Sequence, residues 1–405
     1  MPINRHPHRL AIATAMLALT PLAMANPDPS DWQGIVAEAE GQTVYWNAWG
    51  GDTRTNRYIE WVAQQMQAQH NVDVEHVKLD DTSSAVARVL AERQAGNNDD
   101  GSIDLIWING ENFAAMRASD LLFGPFAESL PNFALTNAAD NPEVVTDFTL
   151  PTEGYESPWG KAQITFYYDS AQTETPPEDM QALLEWAEAH PGQFSYPRIP
   201  DFTGSTFLKQ ALIELTEQDE ALYQPVAESD FEAVTKPLWA YLDALHPHLW
   251  RSGRSFPESG PNLRTLMSDG ELSLAFSFYP TEAAVAVMEY ELPESVRSYV
   301  LEGGTLGNVH FVAIPYNSPH KAGAMLLADF LLSPEAQAQK QSLAMWGDRS
   351  VLDIEQLDTD AQALFEQGER HPSELPADAL SNTLPEPHPS WMTALQEAWQ
   401  KRYVN

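Results

Sequence analysis

Residues 103–112 read IDLIWINGEN, an apolar run that ends in a polar, glycine-containing turn. Such a run, bounded by turn residues, is typical of a strand that is buried on both faces. Two earlier strand patterns cover residues 43–47 and 72–79, and a helical pattern with period 3.6 separates them at residues 55–69. Strands that alternate with helices predict parallel strands joined by crossover helices, and therefore an α/β fold.

The first 25 residues have the pattern of a secretory signal peptide. Arg5 and Arg9 form a basic start, residues 10–19 form an apolar run, and Ala23 and Ala25 supply an A-x-A cleavage site. The apolar run is too short to span a bilayer, which takes about 20 residues. We predict a signal peptide at residues 1–25 and a periplasmic protein. Because the chain has no cysteine to acylate, we predict that it is not a lipoprotein.

Composition excludes several classes of function. The 405 residues include 58 acidic and 22 basic side chains, which gives a formal net charge of −36. A field of this sign repels nucleic acid and anionic membranes. The surplus of acidic residues fits either a solvating surface or the attraction of a cationic ligand.

A chain of this length is too long for one ordinary core, so we expect two domains.

The order of these features resembles the extracellular solute-binding proteins that serve iron, thiamine and polyamine importers. Within that class the chain looks like the long subgroup related to the thiamine-binding protein. Four stretches carry the resemblance: residues 46–51 (WNAWGG), 103–112, 196–205 (YPRIPDFTGS), and 322–337, which ends in FLLSPEAQ. The resemblance extends over nearly the whole chain after the signal peptide.

The resemblance implies a two-lobed periplasmic-binding-protein fold of type II. Each lobe would be a mixed sheet flanked by helices, with the ligand in a cleft that closes by a hinge motion. We expect lobe 1 at residues 26–163 and 306–340 and lobe 2 at 164–305 and 341–405, with hinges near 160–168 and 305–314. The implied role is the receptor of an ABC importer: a monomer without cofactor that delivers a small molecule to a membrane permease.

In open α/β sheets, ligands bind outside the carboxyl ends of the strands, so residues in those positions are candidates for ligand contact. Tryptophan could stack on a ring or cage a cation, and Glu111 could pair with a cation or simply cap a helix. The helix start at residues 203–206 could bind an anion. Arg349 could bind a carboxylate or form a structural ion pair. The full candidate set is Trp46, Asn47, Trp49, Gly50, Gly51, Asp52, Asn109, Glu111, Asn112, Lys161, Thr203, Gly204, Ser205, Thr206, Phe278, Tyr279, Trp346, Asp348 and Arg349.

Several ligands remain open at this stage. A thiamine-like or other nitrogenous solute fits the resemblance, a polyamine would suit carboxylates in the cleft, and a small organic anion would suit Arg349 and Ser205. An alternative from a different class of function is a periplasmic hydrolase. We assign no catalytic residue, because the chain has no G-x-S-x-G or H-E-x-x-H motif. We predict no metal site, because the histidine pairs lack the helical spacing of zinc ligands.

Overall fold

A computed structural model describes residues 26–366 and 370–404, so the predicted signal peptide lies outside the described residues. In the described part of the chain, no helix has the length and apolarity to cross a membrane. The α-helices are α1 Trp32–Ala39, α2 Thr53–His70, α3 Ser83–Gln94, α4 Glu111–Ala118, α5 Met180–Ala189, α6 Phe202–Leu215, α7 Phe231–Leu245, α8 Gly260–Ser268, α9 Glu282–Met288, α10 Lys321–Leu331, α11 Pro334–Gln341, α12 Thr359–Phe365 and α13 Pro389–Tyr403. The strands are β1 Thr43–Trp49, β2 Asp73–Leu79, β3 Leu105–Ile108, β4 Leu122–Phe123, β5 Thr146–Asp147, β6 Leu150–Pro151, β7 Glu156–Gln163, β8 Thr165–Asp169, β9 Leu274–Ser277, β10 Val296–Tyr299, β11 Thr305–Pro315 and β12 Thr383–Leu384.

The larger sheet has the order β12-β11-β3-β1-β2, and β4 and β7 also pair with β11. Strands β1, β2 and β3 run parallel, whereas β11 is antiparallel to β3. The β1-α2-β2-α3-β3 alternation in the sequence produces this parallel part. Helix α2 buries Tyr58, Ile59, Val62 and Met66 on one face, which is the helical spacing that the sequence shows.

A second, smaller sheet has the order β10-β8-β9, and its strands pair antiparallel. Helices α6, α7 and α13 pack around it and contribute buried residues to a separate core. Helix α6 is buried over most of its length because it lies between the sheet and α13. We call the parts of the chain around the two cores the first and second lobes.

One antiparallel strand pair, β7 with β11, runs from the first core into the second. Trp159 of β7 belongs to the first core and Ala162 to the second. Along β11, Leu306 lies in the second core and Val309 in the first. The pair therefore connects the two lobes directly through backbone hydrogen bonds.

The lobe boundary near the end of the chain differs from the one that the sequence suggested. Residues 341–405 were expected in the second lobe, but Trp346, Val351 and Leu357 are buried in the first core. The turn after α11 returns Trp346 to Trp159, with ring centroids 5.7 Å apart, so aromatic packing holds this segment. The chain contributes to the second core again from Leu384 onward.

A buried ion pair fixes α6 to the segment before α13. The Lys209 ammonium lies 2.6 Å from Glu386 Oε2, and both side chains are 1% exposed. Asn308 of β11 donates a hydrogen bond to the other Glu386 oxygen at 2.9 Å. Burial raises the pKa of Glu386 although Lys209 acts in the opposite direction. The Lys209 ammonium and the Glu386 carboxylate therefore stabilise each other's charged form in this buried position.

We expect Lys209→Met to destabilise the fold by about 3–5 kcal/mol, because it leaves the Glu386 carboxylate buried without a cation. The double variant Lys209→Met, Glu386→Gln should recover most of this loss. Urea unfolding of the wild type, both single variants and the double variant measures the coupling. Equal stabilities of Lys209→Met and the wild type would show that the pair is not a structural requirement.

Candidate functional site

A cavity of about 150 Å³ lies between the two lobes. Its first-lobe wall consists of Trp49, Asp52, Asp80, Asp81, Thr82, Trp107, Asn109, Glu111, Asn112 and His310. Its second-lobe wall consists of Asp201, Phe202, Thr203, Gly260, Pro261, Arg264, Ser277, Phe278, Tyr279, Glu282 and Met392. Both lobes therefore contribute to the wall of one cavity.

The first-lobe wall forms where β1, β2 and β3 end. Parallel strands place their carboxyl ends at the same edge of the sheet, so the residues that follow them meet there. Asp52 caps α2 by accepting a hydrogen bond from the Arg54 N–H at 2.7 Å. The Thr82 hydroxyl donates to the Trp107 carbonyl at 3.1 Å, which joins two of these strand ends.

The second-lobe wall comes from helix starts and from the end of β9. Asp201 caps α6, and its carboxylate accepts a hydrogen bond from the Gly204 N–H at 3.1 Å. Phe278 and Tyr279 follow β9. Tyr279 packs its ring edge-on against Trp346, with centroids 5.6 Å apart.

The wall is strongly acidic. Six carboxylates line it: Asp52, Asp80, Asp81, Glu111, Asp201 and Glu282. Among the described residues of the wall, Arg264 is the one arginine or lysine. Its guanidinium already binds Asp52 at 3.1 Å and also Glu282, so two of the six carboxylates share this arginine. The other four carboxylates have no basic partner in the wall.

We call three of those four, Asp81, Glu111 and Asp201, the acidic cluster, because the charge of Asp81 acts on Glu111 in its own lobe and on Asp201 across the cleft. Burial raises the pKa of Glu111 to about 7, and the negative charge of Asp81 adds to the effect. Burial likewise raises the pKa of Asp201 to about 6, again with a contribution from Asp81. Asp81 and Glu111 belong to the first lobe and Asp201 to the second. A positive charge between them would relieve this repulsion.

A buried polar network supports the aromatic part of the wall. His310 Nε2 lies 3.0 Å from Asp348 Oδ1, and the Lys340 ammonium lies 2.7 Å from Asp348 Oδ2. The Asp348 and Lys340 side chains are fully buried. The Trp107 ring packs against His310, with centroids 5.2 Å apart, so the network fixes two wall residues from behind.

The structure brings eight candidates from the sequence to the cavity wall: Trp49, Asp52, Asn109, Glu111, Asn112, Thr203, Phe278 and Tyr279. They come from both lobes, as the position of each after a strand or at a helix start suggested. Ligand contact by these residues stays a prediction.

Trp46 and Asn47, which were predicted as candidates for ligand contact, do not line the cavity. Both side chains are buried, and Trp46 packs edge-on against Trp159, with ring centroids 5.4 Å apart. Gly50 and Gly51 also lie outside the wall. Gly50 instead bonds to the end of β2, through its N–H and the Leu79 carbonyl.

At the start of α6, where the sequence predicted an anion site, a side chain of the same chain already accepts from the helix backbone. The Asp201 carboxylate already occupies the position that an anion would take. Gly204, Ser205 and Thr206 are buried within the helix. The Ser205 hydroxyl accepts from Gln396 at 3.0 Å, and the Thr206 hydroxyl donates to the Phe202 carbonyl.

Four other candidates lie near the cavity but do not line it. Trp346 and Asp348 are buried behind the wall, where they support Tyr279 and His310. Lys161 pairs with Glu143 of the same lobe at 2.8 Å. Arg349 donates to the Gln163 side chain at 3.4 Å. Local pairing therefore explains both basic residues.

Sequence reasoning missed much of the wall, although part of it carried a signal. Asp80, Asp81 and Thr82 directly follow β2, so the strand-end rule that selected Asp52 and Asn109 applies to them equally. No such signal exists for Arg264, Glu282, His310 or Met392, because helices and the crossing strand bring them to the cavity.

The chain was compared with known proteins. A family model described as bacterial extracellular solute-binding protein matches residues 60–363. Protein YnjB of Escherichia coli (strain K12) is 45% identical over 388 residues, which is 96% of this chain and 98% of that protein. A structure titled as the periplasmic binding protein AfuA from Actinobacillus pleuropneumoniae, with fructose-6-phosphate bound, matches with a TM-score of 0.62 at 14% identity, over 90% of this chain and 99% of that one. A putative spermidine/putrescine ABC transporter from Listeria monocytogenes matches with a TM-score of 0.63 at 14% identity, over 89% and 98%. The fold is therefore that of the type II periplasmic binding proteins, as the sequence suggested.

We expect Glu111→Gln to stabilise the ligand-free fold at pH 8 by about 1–3 kcal/mol. The folded-state pKa of about 7 lies above the usual value, so the wild type loses stability as pH rises through 7 and the glutamine variant does not. Urea unfolding at pH 5 and pH 8 measures the difference. A stability gain that is equal at both pH values would contradict the assigned cause.

Proposed function

The chain belongs to the family of bacterial extracellular solute-binding proteins, and we propose that it is the periplasmic receptor of an ABC importer for a small organic cation. In this proposal, residues 1–25 direct export and are removed. The receptor encloses its ligand between the lobes and delivers it unchanged to a membrane permease. The ligand class is inferred from the wall of the cavity.

The acidic cluster is the observation that carries the cationic class. Asp81, Glu111 and Asp201 line the same cavity from two lobes, and burial weakens the screening of the Glu111 and Asp201 charges by water. An ammonium between them would favour the ionised form of each carboxylate. It would also bridge the lobes, because its partners lie on both sides. Binding and closure would then depend on the same contacts.

The aromatic residues extend the description of the ligand. Trp49, Trp107, Phe202 and Tyr279 line the same cavity as the carboxylates. A cation that contacts an aromatic face gains about 0.5–2 kcal/mol, and more when it is desolvated. The wall therefore suits a ligand that presents both a positive nitrogen and an apolar surface.

The volume favours a compact ligand. The cavity of about 150 Å³ is below the usual range for ligand pockets, roughly 300–1,000 Å³, and comparable to an engineered protein cavity that binds benzene. A short diamine or a compound with one ring would fit such a space.

A small organic anion is the weaker alternative. Asp201 occupies the helix start that would bind it, and Arg264 is already bound by carboxylates. The solved structures of this fold include one titled with fructose-6-phosphate bound and another named for spermidine and putrescine. The acidic wall of this chain favours the second type of ligand.

A thermal-shift screen of protein that has been unfolded and refolded tests the ligand class. We expect stabilisation by putrescine, spermidine, choline or thiamine, and none by fructose-6-phosphate or citrate. A ligand at 100 times its Kd stabilises by about 2.7 kcal/mol, which is readily detected. We expect Asp81→Asn to weaken binding at least tenfold, while the exposed control Asp243→Asn retains it.

Stabilisation by anions alone would contradict the cationic class. Mass spectrometry of the ligand recovered from the complex tests the receptor role, because an altered ligand would indicate an enzyme instead.

We also expect binding of the cation to weaken as pH falls from 8 to 5. Glu111 and Asp201, with pKa values of about 7 and 6, gain protons over this range and lose the charge that attracts the ligand. Calorimetry at pH 7 in two buffers of different ionisation enthalpy should show that binding releases protons. Affinity that is independent of pH would exclude both carboxylates from ligand contact.

A further inference from the structure

Seven charged side chains connect the lobes at the rim of the cavity. They are Arg54, Arg57 and Asp52 of the first lobe and Arg264, Glu282, Glu289 and Glu291 of the second. We call them the latch. Its ion pairs reach across the cleft in both directions, because each lobe contributes at least one arginine and one carboxylate.

Arg54 is the central residue of the latch. It lies at the start of α2, and its side chain is only 3% exposed. Its Nη1 lies 3.3 Å from Glu282, its Nε 2.9 Å from Glu289 and its Nη2 2.9 Å from Glu291. All three nitrogens of this first-lobe guanidinium therefore bind carboxylates of the second lobe.

Arg264 makes the reciprocal connection. From α8 of the second lobe it reaches Asp52 of the first lobe at 3.1 Å, and it also binds Glu282 and, at 2.8 Å, Glu291. Arg54 and Arg264 thus share two carboxylates. Since Arg264 and Glu282 line the cavity and Arg54 does not, the latch extends from the cavity wall to the surface.

We propose that the latch holds the two lobes together before any ligand is bound, and that this closure depends on the Arg54 guanidinium. The physical reason is the burial of charge. When the lobes meet, the latch carboxylates lose water, and this is tolerable only with arginines between them. Without Arg54, Glu282, Glu289 and Glu291 would approach one another with a deficit of positive charge, and the open form would be favoured.

The proposal also predicts sensitivity to salt. Glu289 and Glu291 have side chains that are 31% and 40% exposed, so ions reach part of the latch. The Debye length falls from about 10 Å at 0.1 M salt to about 3 Å at 1 M. High salt should therefore open the ligand-free protein even when no residue is changed.

Distance measurement between two spin labels tests the latch directly. The chain contains no cysteine, so Ala87→Cys in α3 and Glu258→Cys before α8, both exposed and on opposite lobes, give unique labelling sites. Double electron–electron resonance on refolded, ligand-free protein in 50 mM NaCl should show mainly the short, closed distance. In Arg54→Gln we expect the ratio of closed to open populations to fall about tenfold or more, the effect of about 1.4 kcal/mol.

The matched control is Arg402→Gln, which removes an exposed arginine whose partner Asp243 lies in the same lobe. This variant should keep the wild-type distances. Glu289→Gln removes a partly exposed latch carboxylate and serves as a second test if Arg54→Gln fails to fold. It should shift the population in the same direction by a smaller factor.

A wild type that is mainly open at 50 mM NaCl would overturn the proposal, as would latch variants whose distances match those of Arg402→Gln. The measurement is made without ligand, so a wrong ligand class in the proposed function would not affect its result.

Discussion

The antiparallel pairing of β7 with β11 is the constraint on which the rest of the molecule depends, because it joins the two cores through hydrogen-bonded backbone. Where the pair leaves the first core, Gly160 faces His310, Asp348 and Lys340, and a side chain there would collide with all three. The absence of that side chain allows a buried polar network to pack directly against the crossing strands. The network in turn fixes His310 and the neighbouring Trp107 ring, so the position of the lobes and the shape of the cavity wall have a common origin.

Two electrostatic effects of opposite sign act across the cleft. The latch attracts the lobes to each other through Arg54 and Arg264, whereas Asp81 and Asp201 repel each other from opposite walls. The attraction is independent of any ligand, and the repulsion disappears when a positive charge lies between the carboxylates. In this scheme the latch favours closure without ligand, the carboxylate repulsion limits that preference, and a cationic ligand between the carboxylates removes the limit. A cavity wall made only of attractive contacts would lack this discrimination.

The sequence predicted the parallel strands and the edge at which the cavity forms, because both follow from local periodicity. It selected both Trp46 and Trp49, which lie three apart on β1 and so point to opposite faces, because periodicity alone does not tell which face meets the cleft. The partners of the basic candidates were not predicted, because residue type and spacing do not show that Lys161 pairs with Glu143 or that Arg349 donates to Gln163. The latch could not be predicted from the sequence either, since Arg54 and Glu282 are separated by 228 positions. Residue type and spacing thus located the wall but not the pairing of charges within it.

The residue before α6 decides what the start of that helix presents to the cleft. The first N–H groups of a helix have no partner within the helix, so they bind whatever acceptor the preceding residue or the cleft supplies. Here a tethered carboxylate satisfies them and adds a negative charge to the wall. A shorter neutral residue at this one position would free the same N–H groups for a phosphate or carboxylate and would reduce the repulsion of anions. The charge that the second-lobe wall presents at this position thus depends on a single helix-capping residue and not on the sheet.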